Sequence, residues 1–162
     1  MTTLFRRMAL IAAAILVPAF VAAQTPPEGQ PSPPAYRPGL GDLMTTTVQP
    51  RHTKLAFAGR EKNWVYAAYE LHELEEAFDR LSIMWPQWQR VRIVELVETI
   101  VRQPMFDLAQ AIKDKNESKY AVAYGQLTDA CNACHQAARR PFVVIQDPKA
   151  NVFPDQNFSA QP

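Results

Sequence analysis

Cys131-Asn132-Ala133-Cys134-His135 is the stretch of this chain whose residue types and spacing could do chemistry. A C-x-x-C-H run is the attachment signature of c-type haem. On a helix, Cys131, Cys134 and His135 stand at i, i+3 and i+4, so all three side chains leave one face. Two thiols can then bond the vinyl groups of a porphyrin while the imidazole reaches its iron. A disulfide or thioredoxin-like redox pair would want C-x-x-C at the start of a helix that follows a strand, where the helix N-terminus depresses a thiol pKa. Nothing before Cys131 reads as a strand. A structural zinc site needs four ligands, and the remaining histidines are His52 and His72, with no further cysteine. One covalent haem c is the expected cofactor.

The elements that must position these residues are helices. A first helical pattern runs from about Gly39 to Gly59, with Leu40, Met44, Val48, Leu55 and Ala58 near one stripe. Pro50 removes one hydrogen bond and clashes with the carbonyl four residues back, so a kink or restart is expected near Gln49, and Gly59 is expected to end the helix. A second pattern is a sustained seam of Trp64, Ala67, Leu71, Leu74, Phe78, Leu81 and Trp85, spaced by three and four. Glu70, Glu73, Glu76 and Arg80 lie off this seam, as on a solvated face, and Pro86 closes the helix. A third helix is expected from about Gln87 to Lys115, with Ile93, Val97, Ile100, Leu108 and Ile112 inward and a second kink at Pro104. Asn116 can cap a fourth, from about Glu117 to Arg139, whose seam is Tyr120, Tyr124, Leu127, Cys131, Cys134 and Ala138. The cysteines therefore occupy seam positions. Four amphipathic helices with short connections predict an all-α fold, an antiparallel up-down-up-down four-helix bundle with haem entering between the helices.

Residues 1–23 read as a cleaved signal peptide, with Arg6 and Arg7, an apolar run from Met8 to Val21 broken by Pro18, and Val21-Ala22-Ala23 before Gln24. Export suits c-type haem, which is attached after translocation, so a periplasmic location is expected. Residues 24–38 are a proline-rich spacer, 39–145 the helical cytochrome domain, and 146–162 an irregular tail. Basic and acidic residues number 17 and 16; losing Arg6 and Arg7 leaves 15 against 16, a net charge near −1. No dense basic patch with interleaved aromatics suggests a nucleic-acid partner. The apolar run is too short for a permanent membrane anchor.

The four-helix pattern, with its C-x-x-C-H near the C-terminus and Gln126-Leu127-Thr128-Asp129-Ala130 before it, resembles the class II cytochromes c, the cytochrome c′ and cytochrome c556 group. The resemblance covers roughly Leu40 to Phe142. It implies thioether bonds at Cys131 and Cys134 and His135 as the proximal iron ligand. Members of the family divide by what lies opposite that histidine. An apolar residue leaves five-coordinate iron that binds small gases such as nitric oxide; a methionine from the first helix makes a six-coordinate electron carrier. In the expected bundle His135 lies about a turn from the end of helix four and Met44 about a turn from the start of helix one, at matching levels. His52 is eight residues on, roughly 12 Å farther along the axis at about 1.5 Å per residue. His72 and Met105 fall well up the bundle, and Met84 beside the seam. Met44 is thus the candidate sixth ligand, with core packing as its alternative role. The function so implied is a periplasmic single-electron carrier, with gas binding as the alternative. No distal acid–base pair speaks for an enzyme. Redox proteins are the expected partners, and a homodimer is compatible with the reading.

Overall fold

The computed structural model describes residues 36–159. The expected leader, the spacer as far as residue 35 and residues 160–162 lie outside the described residues. The described chain is mostly helical, in the order α1 (Leu40–Leu43), α2 (Gln49–Arg60), α3 (Trp64–Met84), β1 (Gln87–Trp88), β2 (Val91–Arg92), α4 (Ile93–Leu96), α5 (Arg102–Lys113) and α6 (Glu117–Ala137). Among the described residues no helix is long and apolar enough to cross a membrane.

Both prolines expected to kink a helix are absorbed by a widened turn. A π-helical segment, Met44–Val48, joins α1 to α2, and the N–H of Gln49 donates to the carbonyl of Met44, five residues back. The α pattern then restarts at Gln49 with Pro50 in its first turn, where a missing N–H costs nothing. Val97–Val101 does the same between α4 and α5, ahead of Pro104, with Arg102 N–H on Val97 O. The first helix does not end at Gly59. That glycine lies inside α2, and a Cβ there would meet the Tyr120 ring at 2.0 Å. Its hydrogen lets helices α2 and α6 approach, and Tyr120 hydroxyl donates to Leu55 O at 2.7 Å.

Three helix ends close in the same way, on a residue with left-handed backbone: Lys62 (φ 54°), Lys115 (φ 52°) and Arg139 (φ 58°). After α2, Lys62 N–H donates to Gly59 O at 3.0 Å and Asn63 N–H to Ala58 O at 2.9 Å; after α5, Lys115 N–H donates to Ile112 O and Asn116 N–H to Ala111 O, both at 3.0 Å. These pairs satisfy orphan carbonyls of the last turn. Asn63 and Asn116 then cap the following helices, accepting from Tyr66 N–H at 3.1 Å and Lys119 N–H at 2.9 Å. Each three-residue turn folds its two helices into a hairpin.

The two hairpins repeat each other. Leu40 and Ile93, Met44 and Val97, Gln49 and Arg102, Trp64 and Glu117 begin matching elements, 53 residues apart in every case. At that spacing Leu43/Leu96, Val48/Val101, Leu55/Leu108, Ala58/Ala111, Asn63/Asn116, Leu74/Leu127 and Ala77/Ala130 are identical. All but the surface-lying asparagines and the ends of α1 and α4 are core positions: the shared core contains Val48, Leu55, Leu74, Leu108 and Leu127 with Phe78, Leu81, Val97 and Met105. Both hairpins bury the same face against a common interior, as the seam spacing requires.

Three expectations need correction. Residues 87–92 are not helical: Gln87 pairs with Arg92 and Trp88 with Val91 in a two-residue hairpin. Gln89, first of its two loop residues, takes φ 54°, which a helix forbids. Helix six ends at Ala137, before Arg139, because Arg139 adopts the left-handed cap; Pro141 follows an end already made. Glu70 is fully buried instead of solvated. Arg51 Nη1 lies 3.0 Å and Lys54 Nζ 3.8 Å from its carboxylate, and Tyr66 hydroxyl donates to it. A buried carboxylate persists only with such partners.

The segment 146–159 has no helix or strand, as expected of the tail, yet it is docked. Phe158 is buried against Phe57 and Tyr66, Gln156 amide donates to Tyr66 hydroxyl, and Asn63 Nδ2 donates to Phe158 O at 3.2 Å and Ser159 O at 3.1 Å. At the other terminus Arg37 stacks 3.5 Å over the Trp85 ring, whose indole N–H donates to Pro38 O at 3.0 Å.

Candidate functional site

Helix α6 carries the three motif residues in its last two turns. Its inward face is Tyr120, Ala123, Tyr124, Leu127, Thr128, Ala130 and Cys134, so packing of the earlier turns dictates where the motif points. The cap then sends the chain back: Arg139 N–H donates to Gln136 O at 3.0 Å and Arg140 N–H to His135 O at 2.7 Å. Past Pro141, the apolar residues Phe142, Val143, Val144 and Ile145 run back beside α6. His135 Nδ1 lies 2.9 Å from Val143 O. Asn132 Nδ2 donates to Ile145 O at 2.9 Å, and Ile145 N–H donates to Asn132 Oδ1 at 2.7 Å.

A carbonyl oxygen can only accept, so the Val143 contact places the imidazole proton on Nδ1. In the neutral imidazole that tautomer leaves the lone pair on Nε2, the form that binds a metal ion. Both cysteines are free. Burial pushes the Cys131 thiol up to about 12, with a smaller push from Cys134, and burial also raises Cys134. These are not the depressed thiols of a disulfide-exchange pair. They are protonated, uncharged and set in an apolar wall.

Two cavities meet at this point. The smaller, about 80 Å³, touches Met44, Val48, His52, Phe78, Val101, Cys131, Cys134, His135, Val143 and Ile145. The larger, about 340 Å³, touches Met44, Phe78, Leu81, Trp88, Val97, Cys134, His135, Arg140 and Val143. Cys134, His135 and Met44 border both and Cys131 the smaller, and both are lined mainly by hydrocarbon. Met44 is half-buried and lines the two cavities together with His135, so the first and last helices bring the two candidate ligands to one space. His72 stays outside, exposed and 3.3 Å from Glu76. Met105 is in the core and Met84 half-buried, and neither lines these cavities.

His52, ranked below Met44 on axial distance, forms part of the smaller cavity's wall. It is buried, with Nε2 2.9 Å from Thr128 Oγ1 and Nδ1 3.1 Å from Tyr124 hydroxyl, and its ring stacks on Tyr124 at 4.8 Å. Tyr124 hydroxyl also reaches His52 O at 3.0 Å. Burial drives the His52 pKa down to about 4. Sequence reasoning missed this network, as it missed Asn132, Val143 and Ile145. Asn132 carried the one usable signal, a polar side chain between two seam cysteines.

No family model, curated protein or solved structure matches this chain. Two free thiols one helical turn apart, an imidazole with Nε2 available, apolar walls and adjoining space together fit a flat, largely apolar, covalently tethered metal macrocycle.

Proposed function

We propose that the two hairpins form an antiparallel up-down-up-down four-helix bundle that holds one covalent haem c and carries single electrons through it in the periplasm. The observation that carries this reading is the convergence of Cys131, Cys134, His135 and Met44 on adjoining apolar cavities. Cys131 and Cys134 would form the thioether bonds, one helical turn apart, and His135 Nε2 would bind the iron. Haem iron, when bound, supplies a one-electron couple between ferric and ferrous states. The chain's part is to orient and to exclude water. Val143 O holds the imidazole, Phe78, Leu81, Val97 and Val101 wall the space with hydrocarbon, and Met44, which lines the same two cavities as His135, would offer a thioether. Histidine with methionine raises a haem potential, and an apolar surround acts in the same direction by disfavouring the more highly charged ferric form.

One observation favours a second reading, in which Met44 only lines the pocket and five-coordinate iron binds small gases such as nitric oxide. Met44 already packs against the buried core, a role methionine fills routinely. Optical spectra separate the two. A low-spin ferric spectrum with a far-red sulfur-to-iron band supports electron transfer; a high-spin ferric spectrum that shifts on adding nitric oxide supports gas binding. A protein with no pyridine haemochrome would end both.

A further inference from the structure

We infer that Asn132 is a positioning residue, which straps residues 142–145 against α6 so that Val143 O holds the His135 imidazole; the inference rests on the haem reading above. Attachment through Cys131 and Cys134 places no chemical demand on the two residues between them. Asn132 nevertheless bonds both backbone polar groups of one residue, giving Nδ2–H to Ile145 O at 2.9 Å and taking Ile145 N–H at 2.7 Å. That is the pairing a neighbouring β-strand would provide, supplied by a side chain.

The strap it holds alternates like a strand. Phe142 and Val144 are 76 % and 70 % exposed against 40 % for Val143; Val143 and Ile145 line the smaller cavity, and Phe142 borders the larger one. Two residues before the clamped Ile145, Val143 O accepts from His135 Nδ1 at 2.9 Å. Apart from that bond and the Asn132 pair, the strap is anchored by Val143 N–H on Arg140 O at 3.0 Å, next to the helix cap. The segment belongs to no helix or strand, so Asn132 is what converts a short loop into a fixed acceptor. An Nδ1–H to carbonyl bond sets the tautomer and ring angle of a ligating histidine and makes Nε2 a stronger donor. Stronger donation favours ferric iron.

The test compares Asn132→Ala and Asn132→Asp with the wild-type holoprotein. Both variants keep two cysteines and should attach haem in full. Asn132→Ala should favour the ferrous form, changing the oxidised-to-reduced ratio at fixed potential on the order of tenfold, about 59 mV for a one-electron couple. Its His135 Nδ1–H should exchange faster with solvent by NMR. Asn132→Asp keeps an acceptor for Ile145 N–H but sets a carboxylate against Ile145 O, and should fall between. Haem-loaded variants with the wild-type potential and wild-type Nδ1–H exchange would overturn the inference while leaving the haem reading intact. A wild-type chain that binds no haem would overturn both. Should Asn132→Ala fail to accumulate, Asn132→Asp decides alone by the same two readouts.

Discussion

The two helical hairpins share one backbone plan, 53 residues apart, and differ where chemistry is expected. Cys131, Cys134 and His135 of the second hairpin stand at the positions of Phe78, Leu81 and Ser82 in the first. Met44 and His52 of the first stand at those of Val97 and Met105 in the second. Phe78, Leu81, Val97 and Val101 then line the same cavities as Cys131, Cys134, Met44 and Val48. In the first three of these pairs one member offers sulfur and the other hydrocarbon, while Val48 and Val101 are alike. The repeat therefore shows how a close-packed helical interior acquires reactive atoms at one place: the second hairpin carries Cys131 and Cys134 where the first has the larger Phe78 and Leu81, and the first carries Met44 where the second has Val97. Ser82, the counterpart of His135, even keeps a buried hydroxyl with no partner among the described residues, for which the packing offers no account.

Substitutions at matched positions should separate the two roles. The largest contrast is expected at the cysteines. Cys131→Ala and Cys134→Ala should each lose normal covalent haem staining under denaturing conditions. Leu81→Ala, at the position matching Cys134, should keep the stain and instead cost about 3 kcal/mol of stability through the void it leaves. Full staining in both cysteine variants would erase the distinction. Next comes Met44 against Val97. Met44→Ala should turn the ferric protein high-spin and raise its carbon monoxide affinity, whereas Val97→Ala should stay low-spin and cost about 2 kcal/mol of stability.

His52 sharpens the comparison through pH. Its folded pKa lies near 4, below the ordinary value of about 6.5, so the unfolded chain takes up the proton first as pH falls. His52's contribution to stability is complete above pH 6.5, declines between 6.5 and about 4 by up to about 3 kcal/mol, and changes no further below that. His52→Met copies the residue of the other hairpin. Denaturant melts of the two proteins across this window should differ in slope, and parallel curves would refute the assignment. The smallest effect is expected at the turns. Lys62→Gly and Lys115→Gly each relieve a left-handed backbone and should stabilise by roughly 0.5–1 kcal/mol. Equal gains support equivalent turns; a loss at either would break the equivalence.

The helices were legible because burial of one face leaves a trace at spacings of three and four, and Asn116 declared itself as a cap. The motif declared the cysteines and histidine for the same local reason. What escaped was set by residues distant in sequence. Glu70 is buried by Arg51, Lys54 and a tail that reaches Tyr66 through Gln156, so its own helix reads as polar there. The hairpin at 87–92 carries no glycine or asparagine at Gln89, where the left-handed turn would ordinarily call for one. Prolines 50 and 104 announced a disturbance, but only the observed hydrogen bonds show that it takes the form of a widened turn. The 53-residue repeat is carried by scattered core identities that a helix-by-helix reading passes over.

The central claim, one haem held by two thioethers beside His135, is tested most directly by the mass of the mature protein produced in an exporting host with c-type maturation. The account predicts a chain heavier by one haem after denaturation, with the added mass on the proteolytic peptide spanning Cys131 to His135. A chain at its bare polypeptide mass, or haem that leaves on denaturation, would contradict it.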